Sequence, residues 1–380
     1  MTESIRVRIP RGKPASYPIR IGRGLLGALP DELSREFPAS TYIVLTDTCI
    51  QPLFGNALRE GLERRGRKTL LVALPPGEPS KTRESKSAIE DRMLEAGMGR
   101  DSVLLALGGG VVGDLGGFVA ATYCRGIPFF QIPTTLLAMV DSSIGGKTGV
   151  DHPAAKNWIG AYHQPSGVIM DVGTLKSLPD RQLRCGLAEV VKTGIIADPG
   201  LFRLLESRGK RVLERDEDLL VRIVERCCRV KSAIVRKDER ESGLREILNF
   251  GHTLGHALEK VSGYRIPHGE AVAIGMILEC RVAVEMGRLS AEAALRTGKL
   301  LEGLGLPVAI PPEIDLDALQ AATRLDKKAR EGKARYVLPE AIGRVSAPAG
   351  SYSLAVPPET IRKVLRWSKS HPIPPHPSKN

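Results

Sequence analysis

Up to about Leu178 the chain alternates short β-branched or apolar runs with helical stretches, and this alternation restricts it to a parallel sheet covered by helices. Strands are expected at Tyr42 to Thr46, Thr69 to Leu74, Ser102 to Leu107, Pro128 to Ile132 and Val168 to Asp171. Helices are expected near Leu53 to Arg65, Thr82 to Ala96 and Leu115 to Thr122, and Ile5 to Ile9 with Tyr17 to Ile21 read as a leading hairpin. Beyond Leu178 long helical patterns take over, at Leu201 to Glu206, Leu219 to Arg236, Leu244 to Val261, Ala271 to Met286 and Ala291 to Leu304, with one late strand at Ala334 to Leu338. The expected organisation is an α/β domain over residues 1–177, a mainly helical domain over 178–370, and a tail, 371–380, too rich in proline to pack.

Ser102 to Leu107 runs into Gly108-Gly109-Gly110-Val111-Val112-Gly113-Asp114, a G-x-G-x-x-G turn between strand and helix. In that Rossmann-like setting glycines bring backbone N–H groups and a helix N-terminus against a pyrophosphate. A plain glycine-rich turn is the alternative. The acid expected some twenty residues on is missing from Phe129 to Pro133, so a dinucleotide would be held in a variant manner. Gly145-Gly146-Lys147-Thr148 is no Walker loop, because Asp141 stands where that loop needs glycine. Lys147 is then a candidate substrate or cofactor contact.

Written as one helix, Arg245, Asn249, His252 and His256 step by four, three and four residues onto one polar stripe, beside an apolar face of Ile247, Leu248, Leu254 and Leu258. His268 follows closely. Two structural histidines are the plain alternative, but a row of imidazole, amide and guanidinium fits a lined pocket better. His252 and His256 have the spacing of a zincin helix, yet Thr253 replaces the required glutamate. A carboxylate for a metal must come from elsewhere, and Glu189 is best placed, in an apolar helical turn one turn from Lys192. An exposed ion pair is the competing explanation for those two. Two imidazoles and one carboxylate with an open position make a Lewis-acid site.

With 380 residues the chain can bury more than one core. No apolar run approaches membrane-spanning length and the first residues lack a secretory layout, so a cytoplasmic location without membrane contact is expected. Six scattered cysteines without a C-x-x-C pair suggest reduced, mostly structural thiols. The 55 basic and 43 acidic residues give a net charge of +12, which raises nucleic-acid binding. The charges are interleaved, as in Arg236 to Glu241, and aromatics are sparse, so a small polyanion is the better partner and no nucleic acid is expected.

Together these segments closely resemble the 3-dehydroquinate synthase family of sugar-phosphate cyclases. The similarity runs from about Tyr42 to Leu338 and is densest in Gly108 to Gly117, Ile132 to Gly149, Lys156 to Gly160, Leu187 to Gly194 and Lys231 to His268. The resemblance implies a Rossmann-like parallel-sheet domain followed by a mainly helical one. It also implies Zn2+ (or Co2+) held by Glu189, His252 and His268, with His256 handling a proton. The substrate contacts it implies are Asp141, Lys147, Asn157, Lys192, Lys231, Arg245 and Asn249, joined by Lys327 or Lys328 and by Arg125 lent across a homodimer. For NAD it implies Asp47, Glu78, Lys81, Gly109, Gly110, Asp114, Thr134, Thr135, Lys147, Lys156, Ser177 and Leu178. Ser177 stands where the family commonly has threonine, and Ala155 where it commonly has glycine.

The implied reaction converts 3-deoxy-D-arabino-heptulosonate 7-phosphate to 3-dehydroquinate and phosphate in the shikimate pathway of aromatic amino acid biosynthesis. It proceeds by transient oxidation, phosphate elimination, reduction and aldol closure, with no net use of NAD. Rival readings are another sugar-phosphate cyclase, the amino-substrate version of the same enzyme, a metal-dependent alcohol or glycerol dehydrogenase, and a basic nucleic-acid-binding module.

Overall fold

The computed structural model describes residues 16–153, 155–323 and 334–370. Ten strands lie in the described residues: β1 (Ile19–Gly22), β2 (Thr41–Asp47), β3 (Lys68–Leu74), β4 (Ser102–Gly108), β5 (Phe129–Pro133), β6 (Lys147–His152), β7 (Ala155–Tyr162), β8 (Gly167–Asp171), β9 (Arg335–Tyr336) and β10 (Leu354–Ala355). The helices are α1 (Leu25–Glu36), α2 (Asn56–Glu63), α3 (Arg83–Glu95), α4 (Gly110–Thr122), α5 (Asp180–Ile196), α6 (Pro199–Leu213), α7 (Glu217–Lys237), α8 (His252–Val261), α9 (His268–Glu285), α10 (Ala291–Gly303), α11 (Leu316–Thr323) and α12 (Pro358–Ser370).

The main sheet has the order β1-β8-β5-β4-β2-β3, and every pair in it is parallel. Its strands are apolar on both faces, as a sheet covered on both sides requires. Tyr42, Val44, Val103, Leu105 and Leu107 pack with Leu29, Leu33, Leu58 and Leu62 of α1 and α2. Ile43, Leu45, Leu104 and Ala106 face Ile89 and Met93 of α3 and Val112, Leu115 and Val119 of α4. A larger apolar cluster fills the helical half and reaches back to Leu136, Met139, Val168 and Met170, so one continuous core crosses from sheet to helices. All six cysteines are unpaired, and four of them, Cys185, Cys227, Cys228 and Cys280, are buried. Among the described residues no helix is long and apolar enough to cross a membrane.

Several expectations need correction. Tyr17 to Ile21 does not form a hairpin in the described residues: β1 joins the main sheet parallel to β8, and Ile5 to Ile9 lies outside the described residues. Leu244 to Val261 is not one helix. A 3-10 turn, Leu244–Asn249, is followed by a break at Phe250 and by Gly251 at φ 79°, a left-handed conformation that glycine adopts without strain. The Gly251 N–H donates to buried Glu279 across 2.8 Å, which holds the break in place. Two antiparallel pairs, the hairpin of β6 with β7 and the pairing of β9 with β10, were not expected.

Candidate active site

Helix α5 is buried almost throughout, so Glu189 and Lys192, one turn apart, enter the interior instead of forming an exposed pair. Gly269 fits so tightly on Cys185 of α5 that a Cβ there would lie 2.3 Å from the cysteine Cα, and this contact seats the first residue of α9, His268, against Glu189. The Glu189 Oε1 lies 3.5 Å from His252 Nε2 and 3.6 Å from His268 Nε2. One ligand atom from each of the three residues falls within 4.8 Å of the others. The His256 ring stands 5.2 Å from that of His252, edge to face.

Lys192 pairs with the Glu189 Oε2, and burial, which alone would raise this carboxyl, is outweighed by the charges of Lys192 and His268, so it sits below the ordinary carboxylate range. Burial disfavours a charge on His268, but the carboxylates of Glu189 and Glu259 on either side of it prevail and lift it to about 10 in the absence of a cation. His252 has its Nδ1 3.0 Å from the Phe250 carbonyl, which leaves Nε2 turned to Glu189. Both Glu189 oxygens are fully buried, and although Lys192 and two imidazoles face them, neither accepts a hydrogen bond of good geometry. A buried carboxylate so placed, with two imidazole nitrogens converging on it, fits the donor set of a catalytic divalent cation.

Beside this cluster the basic residues gather. Lys231 of α7 donates to Asp141 Oδ1 at 2.5 Å, from a wide turn at Ala138–Ser142. Burial pushes the Asp141 carboxyl up, but Lys231 and Lys192 overcome it and keep it below its usual value. Arg245 is buried and reaches the Gly145 carbonyl at 3.5 Å, while its own amide donates to Asp238 at 2.9 Å. Asn249 donates to Glu241 at 2.6 Å, and Lys147 of β6 pairs with the same carboxylate. Asn157 sits on β7 at φ 56° and its amide donates to Asp151 at 2.8 Å.

The residues expected at a dinucleotide follow the carboxyl ends of the parallel strands. Asp47 ends β2, Glu78 and Lys81 follow β3, Gly109 and Gly110 follow β4, Thr134 and Thr135 follow β5, and Ser177 and Leu178 follow β8. That is the edge where open parallel sheets bind ligands. Lys81 is buried and pairs with Asp114 at 2.6 Å; burial would lower its pKa, yet Asp114 and Glu78 raise it above the ordinary value. The third glycine of the motif serves packing, since a Cβ on Gly113 would lie 2.5 Å from the Gln131 side chain. Thr134 Oγ1 is buried without a hydrogen-bond partner, an unmet polar group where a nucleotide would lie.

Family sequence models match nearly the whole central chain: 3-dehydroquinate synthase N-terminal over residues 71–185 and 3-dehydroquinate synthase C-terminal over residues 186–329. The chain belongs to the 3-dehydroquinate synthase family. It is 48% identical over 333 residues to the 3-dehydroquinate synthase of Geobacter metallireducens, covering 87% of this chain and 92% of that one. Among solved structures it is similar to a 2-epi-5-epi-valiolone synthase from Streptomyces hygroscopicus subsp. jinggangensis 5008 with NAD+ and Zn2+ bound, at TM-score 0.85 and 30% identity, covering 96% and 99% of the two chains. A 2-deoxy-scyllo-inosose synthase complexed with carbaglucose-6-phosphate, NAD+ and Co2+ superimposes at TM-score 0.81 with 25% identity, covering 92% and 96%.

For this member of the family, the structure brings together Glu189, His252, His256, His268, Lys192, Lys231, Asp141, Arg245, Asn249 and Lys147. Arg125 is not among them: it is exposed at the far end of α4, ahead of β5, at the opposite edge of the sheet from the strand ends that carry the site. Lys327 and Lys328 lie outside the described residues. Five acids escaped the sequence analysis. Glu241 and its neighbours Asp238 and Glu239 belong to a charge run read as interleaved surface charge, yet Glu241 joins Lys147 to Asn249, while Asp238 and Glu239 hold Arg245. Glu259 backs His268, and Glu279 fixes Gly251.

Proposed function

We propose that the chain catalyses the 3-dehydroquinate synthase reaction, in which 3-deoxy-D-arabino-heptulosonate 7-phosphate gives 3-dehydroquinate and phosphate. The reading rests on one observation above all: the Glu189, His252 and His268 cluster adjoins the buried cations Lys192 and Lys231, joined to it through Glu189 and Asp141, with buried Arg245 next to Lys231. Glu189, His252 and His268 are assigned to Zn2+ or Co2+. NAD is assigned to the strand-end set Asp47, Glu78, Lys81, Gly109, Gly110, Asp114, Thr134, Thr135, Lys147, Lys156, Ser177 and Leu178. When bound, the cation supplies Lewis acidity to a substrate hydroxyl and the nicotinamide takes up and returns a hydride.

The protein's own residues bind and orient. Lys231 and Arg245, both buried, suit a carboxylate, and Lys147, Asn157 and Asn249 suit a phosphate and hydroxyls. Asp141 keeps the Lys231 and Lys192 ammonium groups aligned. A ring nitrogen of His256, next to the three ligands but outside them, takes or returns the proton of the reacting hydroxyl. Departing phosphate removes the neighbouring proton itself, so the protein's contribution is geometry and electrostatics. The intact Lys231, Arg245 and Asn249 set favours a substrate with a carboxylate over those of the valiolone and inosose cyclases.

The domain boundary is placed at 177/178, supported by the end of the main sheet at Asp171 and the start of α5 at Asp180. Arg125, remote from its own site, is assigned to the site of a second copy in a homodimer. The test is to incubate the protein with the heptulosonate phosphate, Zn2+ and NAD while recording phosphate release and nicotinamide absorbance. Phosphate and 3-dehydroquinate should form together without lasting NADH. Accumulation of NADH, as an alcohol or glycerol dehydrogenase would give, contradicts the reading.

A further inference from the structure

His268 belongs to two convergent sets, Glu189 with His252 on one side and His256 with Glu259 on the other. Its Nε2 is 3.6 Å from Glu189 and its Nδ1 is 3.5 Å from Glu259 Oε2, at the long edge of hydrogen bonding. An imidazole that gives one nitrogen to a cation must carry its proton on the other, and the acceptor of that proton sets both the tautomer and the plane of the ring. For His252 the acceptor is the Phe250 carbonyl. For His268 it is a carboxylate on the neighbouring helix α8, buried to 5% exposure. The second Glu259 oxygen lies 3.8 Å from Lys156 Nζ on β7. Lys156 in turn lies 3.7 Å from Glu78 and 4.2 Å from the centre of the Tyr264 ring, so three groups hold its ammonium in place.

We propose that Glu259 is a positioning residue: one oxygen orients His268 for the cation, and the other is steadied by Lys156, so the grip on the metal depends on a strand of the nucleotide-side hairpin. This deepens the assignment of Glu189, His252 and His268 to a metal and rests on it. The alternative, in which Glu259 and His256 are ligands of a second cation, is less favoured because His268 would then have to serve two ions through both of its nitrogens.

The test is a Co2+ titration of full-length protein freed of metal by chelation, read by the visible absorption of the bound ion. The parent should take up one Co2+ per chain. Glu259→Gln keeps the size of the side chain but not its charge; it should bind Co2+ roughly 10- to 100-fold more weakly, with altered bands and an unchanged melting temperature of the metal-free form. Lys156→Met, at a partly exposed position, should weaken binding by about threefold to tenfold. Glu189→Ala separates the two readings, since parent-like Co2+ binding in that variant would refute the metal assignment itself. If Glu189→Ala loses the ion while Glu259→Gln binds as the parent does, only the role of Glu259 is refuted. Should Glu259→Gln fail to fold, unchanged binding by Lys156→Met refutes it instead. Uptake of two Co2+ per chain also overturns the proposal.

Discussion

Gly275, in the middle of α9, should be irreplaceable for a reason that can be worked out from the backbone. A Cβ there would sit 2.0 Å from the Gly251 carbonyl oxygen and 2.9 Å from the Gly255 nitrogen, where real Cβ contacts do not fall below 3.0 Å. Neither obstacle is a side chain that can swing aside. In Gly275→Ala, α8 and α9 must part by about 1 Å, which is at the upper end of overpacking costs, about 3 kcal/mol. For a chain of 380 residues, at ~1–1.5 °C per kcal/mol, the melting temperature should fall by roughly 3–5 °C. Because α8 carries His252 and α9 begins with His268, the same shift should weaken Co2+ binding by about tenfold or more. Gly298→Ala provides the comparison. Its Cβ would meet only Ile277 Cδ1, at 3.7 Å, in ordinary contact, so replacing a helical glycine should stabilise by ~0.5–1 kcal/mol. Calorimetry and the Co2+ titration measure both variants. If Gly275→Ala melts and binds as the parent does, or if Gly298→Ala is equally harmful, the helix-packing argument is refuted.

Asp238 accepts from the amides of Ser242, Gly243 and Arg245, and although its burial acts the other way, these bonds hold its carboxyl at about 2. A depressed carboxyl contributes stability that is complete above its unfolded pKa and is lost as pH falls through the folded one. Unfolding measured from pH ~5 to ~2 should therefore show about 2 kcal/mol of acid-labile stability that is absent in Asp238→Asn. If Arg125 serves a second copy, mixing inactive Arg125→Ala with inactive Lys231→Met should restore activity, because a mixed dimer holds one site with both residues intact; no recovery after subunit exchange would contradict that assignment.

Five of the six parallel strands, all but β1, were legible because each is a short apolar run, and the helical half because its apolar residues recur at helical spacing over long stretches. Other elements were hidden for physical reasons. Pro30 lies inside α1 and obscures it. In β6 and β7 the facing Gly149 and Gly160 blank out the alternation, because their backbones meet where a Cβ on Gly160 would lie 1.9 Å from the Thr148 carbonyl. The stripe of Arg245, Asn249, His252 and His256 was drawn on one helix, but the spacing on either side of Gly251 cannot reveal the break, which rests on the left-handed Gly251 and its tertiary bond to Glu279. Glu241 and Glu259 carried no local signal, since a glutamate in a charge run or on a helix is ordinarily solvated. Their roles depend on Lys147, Asn249 and His268, which the fold brings up from other elements.

The most direct measurement is anomalous diffraction at the zinc edge from crystals of the zinc-loaded protein. The account predicts one strong peak among Glu189, His252 and His268, with nitrogen ligands at about 2.0–2.1 Å and a carboxylate oxygen at a similar distance. A peak elsewhere, or the three side chains turned apart around an ion-free gap, would contradict it.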